Sequence, residues 1–344
     1  MNTIRNTIAL ASAALLMTAC YDDYVADYYY SGVYVAYQYD LRTFVLGEQE
    51  RFDFTVGLAG VIDNTSDRKV SVVLDDSLLD GDLSAFGDGE CSSFTALDGL
   101  LGKAPIGALC QDYVSTEVAA AGISSLTPLP AECYTVSGLD GMTIRKGRHT
   151  AAATVSATDA LSADEKALKP YYALAFRVIS ADADTLLKDK SFEIIAVKCE
   201  NRFYGNWYHG GKTVVIEDST GDELSEEVYP FSIPQEDSRI YSLSTVAADA
   251  VVTNRMGNAA GSLRLRFAPD GSINVSSADN SVQITSTESS FNGAKLLQDR
   301  ELYLSYNYPN GDGSTTYVTD TLYFRNRIRD GVNEWQDENP ENYK

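Results

Sequence analysis

The chain contains many side chains able to do acid–base or nucleophilic chemistry, but they do not form a catalytic pattern. It has 49 acidic residues and two histidines, His149 and His209. Glycoside hydrolysis needs two carboxylates at a set separation, one with a raised pKa, and no spacing in the sequence singles out such a pair. A Ser-His-Asp arrangement would have to use His149 or His209, and no GxSxG motif surrounds any serine. The sequence therefore favours a non-catalytic protein, with a glycoside hydrolase as an alternative.

Aromatic side chains offer a second kind of chemistry, the stacking of rings. Sugar rings have apolar faces that stack on Trp and Tyr, and their hydroxyls need polar partners at the rim of the site. The candidate residues lie in one run after the middle of the chain, on a late hairpin and near the C-terminus: Tyr204, Trp207, Tyr208, His209, Tyr303, Tyr317, Tyr323 and Trp335. This set predicts a glycan-binding surface, although tyrosine also simply suits strands.

Two of these candidates carry a second interpretation. Gly205-Asn206-Trp207, together with Arg325 and Arg327 on the last predicted strand, is similar to the closure of lipocalin-like barrels, in which an arginine packs on the indole at one end. On that interpretation Trp207 is a barrel plug. Trp335 lies in an acidic tail where no core role is evident, and both interpretations stay open for it.

The cysteines bear on compartment and cross-linking. Five are present: Cys20, Cys91, Cys110, Cys133 and Cys199. In an oxidising compartment the last four could form two disulfides with three connectivities, of which Cys91 with Cys110 and Cys133 with Cys199 is the most local. Buried thiols are an alternative. No CxxC pair exists, so we expect no metal site and no cofactor.

The N-terminus has the layout of an export signal. Arg5 precedes an apolar run from Ile8 to Met17 that is too short to span a membrane, and small residues end at Cys20. This pattern is similar to a bacterial lipobox, although Met17 stands where leucine is usual. It predicts a signal peptide over residues 1–19 and a lipid anchor on Cys20, followed by an acidic, Tyr-rich tether over residues 20–32.

The charge balance limits the partners. The formal net charge is −22, and Arg5 is the only charged side chain before Cys20. Such an acidic surface repels phosphate backbones, so we expect no nucleic-acid partner. Asp80, Asp82 and Asp88 resemble calcium ligands, but Ala85 and Cys91 stand where an EF-hand needs Gly and Glu, and we interpret the segment as a loop.

Period-two alternation of apolar residues predicts a mainly β protein with two domains. Phe52, Phe54, Val56 and Leu58 alternate with polar or small residues, and several short strands of this kind with turns between them predict an immunoglobulin-like β-sandwich over residues 33–198. Residues 199–344 again alternate and end in a long hairpin. They predict a lipocalin-like β-barrel with a tail, or alternatively a second, jelly-roll sandwich.

The first region resembles a domain of unknown function that opens many Bacteroidetes surface lipoproteins encoded in polysaccharide-utilisation loci. The residues that carry the resemblance are Leu41 to Glu48, Asp67 to Val70, Leu129 to Tyr134 and Tyr172 to Ser180. The second region, ending in Phe324 to Trp335, resembles the partner domain of the same lipoproteins, which are assigned to adhesion or glycan binding. The resemblance implies an outer-membrane lipoprotein that faces the cell exterior. In such lipoproteins, acidic residues directly after the lipidated cysteine resemble a signal for surface export, and acidic residues follow Cys20 here.

These observations converge on one expected function. We expect a non-catalytic surface lipoprotein that binds or presents glycans through aromatic side chains, in contact with an outer-membrane transporter complex. The alternative partner is a surface protein bound through sheet edges, which would make the chain an adhesive or structural subunit. The sequence does not separate these two.

Overall fold

The computed structural model describes residues 29–79, 114, 116–233, 236 and 239–337. Several predictions lie outside these residues: the signal peptide, the anchor at Cys20, most of the tether, the acidic loop from Asp80 to Asp88, Cys91 and Cys110. Within the described ranges no helix is both long and apolar enough to cross a membrane.

The described residues are mainly β. The first eleven strands are β1 (Tyr29–Val35), β2 (Tyr39–Leu46), β3 (Arg51–Val61), β4 (Arg68–Leu74), β5 (Thr127–Pro128), β6 (Tyr134–Ser137), β7 (Thr143–Ile144), β8 (Thr150–Ala157), β9 (Tyr172–Ala181), β10 (Thr185–Leu186) and β11 (Phe192–Asn201). Helical structure includes α1 (Asp159–Ser162), residues 116–120 and short 3-10 turns at Asp76–Leu78, Ala131–Cys133, Glu165–Leu168, Lys188–Lys190 and Leu297–Asp299.

The remaining strands follow without a regular helix among the described residues. They are β12 (Gly205–Glu217), β13 (Glu223–Tyr229), β14 (Tyr241–Ala247), β15 (Ala250–Thr253), β16 (Arg255–Met256), β17 (Ala259–Ala260), β18 (Leu263–Phe267), β19 (Ile273–Ser277), β20 (Thr285–Ser286), β21 (Ser290–Phe291), β22 (Glu301–Pro309), β23 (Ser314–Arg329) and β24 (Val332–Glu334).

The chain divides into two compact units. The first contains the described residues of Met1–Asp40, Phe52–Ser156 and Tyr172–Ala196, and the second those of Leu41–Arg51, Ala157–Tyr171 and Val197–Lys344. Two short stretches from the first half of the chain therefore group with the second unit. The predicted domain boundary between residues 198 and 199 stays a prediction.

The strands that precede β12 form two sheets. One has the strand order β10-β1-β3-β8-β6, and the other has the order β2-β11-β9-β4-β7, with β5 paired to β9. The alternation in β3 places Phe54 and Val56 in the core while Asp53 and Thr55 face solvent. Phe54 stacks on Phe176 of β9 with ring centroids 4.4 Å apart, so apolar faces of the two sheets meet.

The second unit contains a sheet that curls into a nearly closed barrel. Its strands follow the order β19-β18-β15-β14-β12-β23-β22-β20, with β13 on β12, β21 on β22 and β24 on β23. The two ends approach each other, since the Ile273 amide donates to the Ser289 carbonyl oxygen at 2.9 Å and Ser272 forms a bridge with Ser290. The predicted mainly β fold with a barrel-like second sheet is confirmed.

The final hairpin shows why the barrel core forms. Leu302, Leu304 and Tyr306 of β22 are buried, as are Leu322 and Phe324 of β23, and the residues between them face outward. This matches the predicted alternation. The sequence did not predict β13, because all its side chains except Tyr229 are exposed and it lacks an apolar stripe.

The structure corrects one disulfide prediction. Cys133 and Cys199 are both buried, and no bond joins them. They belong to a 3-10 turn and to β11 respectively, where each thiol is part of the packed interior. Burial of a cysteine as a small apolar side chain is common, and it accounts for both positions.

Candidate functional site

The candidate site lies on the outer face of β12, β23 and β22. Tyr208 of β12 is directly opposite Tyr323 of β23, and Tyr323 is opposite Glu301 of β22. Their neighbours Trp207, Leu322 and Leu302 point into the barrel and are buried. Because side chains alternate between the two faces of a strand, Tyr208, Tyr323 and Glu301 share the outward face.

A phenylalanine from the segment after β13 completes this surface. Phe231 has its ring centroid 4.4 Å from that of Tyr323 and 6.1 Å from that of Tyr208. It lies over Gly210, where a Cβ atom would come within 2.5 Å of the Phe231 amide nitrogen. The missing side chain at Gly210 therefore lets Phe231 lie against the sheet.

Charged groups border these rings. The Arg325 guanidinium carbon lies 5.6 Å from the centroid of Tyr208, within cation–π distance. We call Tyr208, Phe231, Tyr323 and Arg325 the aromatic platform. Tyr303 lies at its edge and donates a hydrogen bond from its hydroxyl to Glu301, which raises the pKa of Tyr303.

The platform is accessible and has the chemistry of a stacking surface. Phe231 is 41% exposed and Tyr303 is 40% exposed. Tyr208 and Tyr323 are half-buried, so each presents part of its ring to solvent. Aromatic faces bordered by charged and hydroxyl groups can stack on the apolar face of a sugar ring while polar neighbours meet its hydroxyls.

The other exposed candidates lie apart from the platform. Tyr317 is 44% exposed on the same face of β23 but is opposite Val214 and Asn307. Six residues of strand separate it from Tyr323, which corresponds to about 20 Å. Trp335 is 56% exposed and follows β24, which pairs with β23 at Arg327 to Arg329.

Trp207 is part of the barrel core. Its indole is fully buried, donates from Nε1 to the Phe203 carbonyl oxygen at 3.1 Å and meets Phe324 edge to face. Gly205 precedes it with φ +125°, and a Cβ atom there would lie 2.7 Å from the Asn326 carbonyl oxygen. The GxW pattern is thus explained by a close strand crossing followed by a buried ring.

Tyr204 and His209 are also interior side chains. Arg327 lies over the Tyr204 ring at 5.2 Å, and burial raises the pKa of Tyr204. His209 has no exposed surface, and its Nδ1 lies 2.7 Å from the Arg239 carbonyl oxygen. Burial lowers the pKa of His209 to about 4, so its imidazole is neutral at pH 7. These two candidates do not join the platform.

A polar cluster occupies the barrel interior next to His209. The buried Asp320 carboxylate accepts hydrogen bonds from Tyr229 at 2.6 Å and from Tyr241 at 2.9 Å. Burial raises the pKa of Asp320 to about 6 even though both hydrogen bonds oppose the shift. Both tyrosine rings also contact the His209 ring. A perturbed carboxylate can mark a catalytic acid, but Asp320 is only 1% exposed, which favours a structural role.

Sequence reasoning missed two residues of these sites. The alternation of β23 places Asp320 on the same inward face as Val318 and Leu322, so its burial could have been read from the sequence. Phe231 carries no such signal, because its position depends on how the segment after β13 returns to the sheet. Among the described residues, no group of three or more His, Cys, Asp or Glu side chains could hold a metal ion.

Known protein structures include one with a similar fold. A protein of unknown function from Bacteroides ovatus superposes with a TM-score of 0.61 at 20% identity, over 90% of this chain and 98% of that one. An auxiliary nutrient binding protein from Bacteroides thetaiotaomicron superposes with a TM-score of 0.37 at 12% identity, over 87% of this chain and 96% of that one. No family model matches the chain, and no curated protein matches it. The first similarity shows a shared mainly β fold.

Proposed function

We propose that this protein is a non-catalytic, lipid-anchored surface protein that binds glycans through the aromatic platform. The observation that carries the proposal is the contact of Phe231 with both Tyr208 and Tyr323 on an exposed strand face. The rings form one continuous apolar surface, and Arg325 and Tyr303 border it. This arrangement suits the flat apolar face of a pyranose together with its hydroxyl rim.

Affinity electrophoresis of the whole mature chain in gels containing different polysaccharides tests the proposal. We expect at least one polysaccharide to slow the wild-type protein and Tyr323→Ala to weaken that effect about fivefold to tenfold, the loss expected for one aromatic contact of about 1 kcal/mol. Tyr37→Ala is the matched control, since Tyr37 is a 48% exposed tyrosine of the first unit.

The outcomes separate the candidate functions. Mobility unaffected by every polysaccharide would overturn the glycan proposal and favour an adhesive or structural subunit. Release of reducing sugar from a polysaccharide would instead make the protein a hydrolase. Equal weakening by Tyr323→Ala and Tyr37→Ala would show that the platform is not the binding surface.

We further propose a location from the N-terminal sequence. A lipid on Cys20 would anchor the chain to the outer membrane, and the acidic residues that follow would direct it to the outer face. There the platform could present glycans to an outer-membrane transporter complex. Neighbouring genes for such a transporter and its lipoprotein partner would support this setting.

A further inference from the structure

A second surface in the barrel unit combines aromatic rings with an arginine. A cleft of about 410 Å³ lies where the residues preceding β12 meet the β18–β19 turn and the end of β21, and Arg202, Phe203, Phe267, Asp270, Phe291 and Asn292 line it. Ligand pockets for small molecules start at roughly 300 Å³. The cleft is therefore large enough for a sugar unit, and it is separate from the aromatic platform in its residues.

Aromatic rings hold the arginine in place. Phe203 stacks on Phe267 with centroids 4.0 Å apart and meets Phe291 edge to face at 4.9 Å. The Arg202 guanidinium carbon lies 4.9 Å from the Phe203 centroid and 5.1 Å from the Phe291 centroid. Two cation–π contacts restrict this side chain, so little rotamer freedom remains to be lost when a ligand binds.

The guanidinium of Arg202 has unused hydrogen-bonding capacity. Its side chain is 35% exposed, and it donates no hydrogen bond within the described part of the chain. The contact with Glu48 is a long one, 3.9 Å from Nε to Oε1. Glu48 instead receives Arg300 at 2.6 Å and Arg327 at 3.1 Å. Arg327 is also paired with Glu334 at 2.7 Å, so Arg202 is the arginine of this group that keeps only a long contact with an acid.

Burial and a neighbouring positive charge both act on the Arg202 guanidinium. Burial lowers the pKa of Arg202, and the nearby positive charge of Arg300 lowers it further. Asp270 is the opposing charge in the lining, but its carboxylate accepts hydrogen bonds from the amide and hydroxyl of Ser272 at 2.9 and 2.7 Å. An incoming anion would relieve the repulsion among the arginines, and planar carboxylates match the guanidinium fork.

We propose that this cleft binds the carboxylate of an acidic sugar unit, a uronate, through Arg202. The apolar face of the sugar ring would lie on the half-buried rings of Phe267 and Phe291, and Asn292 and Asp270 would meet hydroxyl groups. A small inorganic anion would use the arginine but not the phenyl rings, so the lining favours a carboxylate carried on a ring. This inference rests on the proposed glycan-binding function and adds a second binding site, separate from the aromatic platform.

Calorimetric titration of the whole mature chain with oligogalacturonate and oligoglucuronate tests this, with the methyl-esterified oligogalacturonate as a neutral control of the same ring. We expect at least one of the two uronates to bind. If oligogalacturonate is the sugar bound, esterification should weaken its affinity at least about tenfold, since a charge-assisted bidentate pair is lost. Arg202→Gln should give a similar loss, and Arg202→Lys a smaller one because it retains the charge but not the fork.

Arg145→Gln is the matched control, since Arg145 is an exposed arginine of the first unit whose loss changes the net charge equally. The proposal is overturned if neither uronate binds, if ester and acid bind alike, or if Arg145→Gln and Arg202→Gln weaken binding equally. An acidic peptide that competes as well as the uronate would also overturn it.

The ester comparison uses wild-type protein and stays decisive even if an Arg202 variant unfolds. Loss of polysaccharide binding in Tyr323→Ala with uronate binding retained would separate this site from the platform.

Discussion

Glu48 is a buried acid that pairs with buried arginines of the barrel unit. It contacts Arg300 and Arg327, which are both almost fully buried. Burial opposes the charge of Arg327, but Glu48 and Glu334 together raise its pKa. Buried guanidinium groups are stable only with compensating acids, so Glu48 keeps these two arginines compatible with a packed interior.

Replacing Glu48 should therefore be costly. We expect Glu48→Gln to lower the free energy of unfolding by about 3–5 kcal/mol, because it leaves Arg300 and Arg327 buried without this carboxylate. Asp67→Asn removes the partner of Arg145 in an exposed ion pair and should change the free energy of unfolding far less, because solvent screens such a pair. Urea unfolding followed by circular dichroism measures both. Similar losses in the two variants would contradict the structural role of Glu48.

Asp320 and His209 should give opposite pH dependences of stability. Burial raises the pKa of Asp320 from 3.8 to about 6, so the folded state binds more protons than the unfolded chain in this window and stability falls as the pH rises. Burial lowers the pKa of His209 from 6.5 to about 4, so there the folded state binds fewer protons and stability rises with pH.

Single variants should reveal each contribution. Measured between pH 4 and 6, the stability of Asp320→Asn relative to wild type should increase with pH, because the unfavourable ionisation is gone. The relative stability of His209→Gln should decrease over the same window. Urea midpoints at several pH values check both slopes. Parallel curves for wild type and variants would show that neither group has the shifted pKa in the folded protein.

At the scale of elements, strand β12 has the barrel core on one face and the aromatic platform on the other, and two adjacent glycines, Gly210 and Gly211, allow close contacts on both faces. Gly210 faces outward beneath Phe231, and a Cβ atom at Gly211 would collide with the Thr319 carbonyl oxygen and Asp320 of β23. The same strand therefore needs small residues on both faces, for two different reasons. One allows an aromatic ring to lie on the sheet, and the other allows two strands to approach.

The two glycines should differ in what their substitution disrupts. We expect Gly210→Ala to displace Phe231 and weaken polysaccharide retention severalfold, because the new Cβ would come within 2.5 Å of the Phe231 backbone nitrogen, and the shift of that segment should also lower stability. Gly211→Ala should lower stability by roughly 1–3 kcal/mol, as overpacking does in a buried setting. Gly32→Ala, whose new Cβ would be 3.4 Å from the nearest atom, is the neutral control. Unchanged retention in Gly210→Ala would argue against the role of Phe231.

At the scale of the whole molecule, the proposed N-terminal export signal should determine where the protein is found. We expect wild-type protein to incorporate a fatty-acid label and to enter the detergent phase, and Cys20→Ser to lose both properties. Asp22→Asn with Asp23→Asn should keep the lipid but reduce cleavage by protease added to intact cells. Labelling of Cys20→Ser would contradict the anchor, and protease resistance of wild-type protein on intact cells would contradict surface display.

Much of the β architecture could be predicted from local sequence. The alternation in β22 and β23 indicated which side chains enter the barrel, including Leu302, Leu322 and Phe324, because period two is a property of the strand itself. The same rule placed Tyr303, Tyr317 and Tyr323 outward. Short or largely exposed strands such as β21 and β13 escaped prediction, because a strand that buries no stripe of side chains leaves no pattern.

The sequence by itself determined the class of fold and the outward direction of the hairpin tyrosines, since both follow from the repeat of a single strand. Only the tertiary structure decided which aromatics meet. Strand register brings Tyr208 opposite Tyr323, a returning segment lays Phe231 on Gly210, and barrel closure buries Trp207 and His209. Arg202 likewise acquires Phe291 as a neighbour from a distant segment, and Phe267 joins the cluster by stacking on Phe203. These contacts join residues far apart in the chain, and the physical reason is that register and closure depend on the packing of the whole barrel.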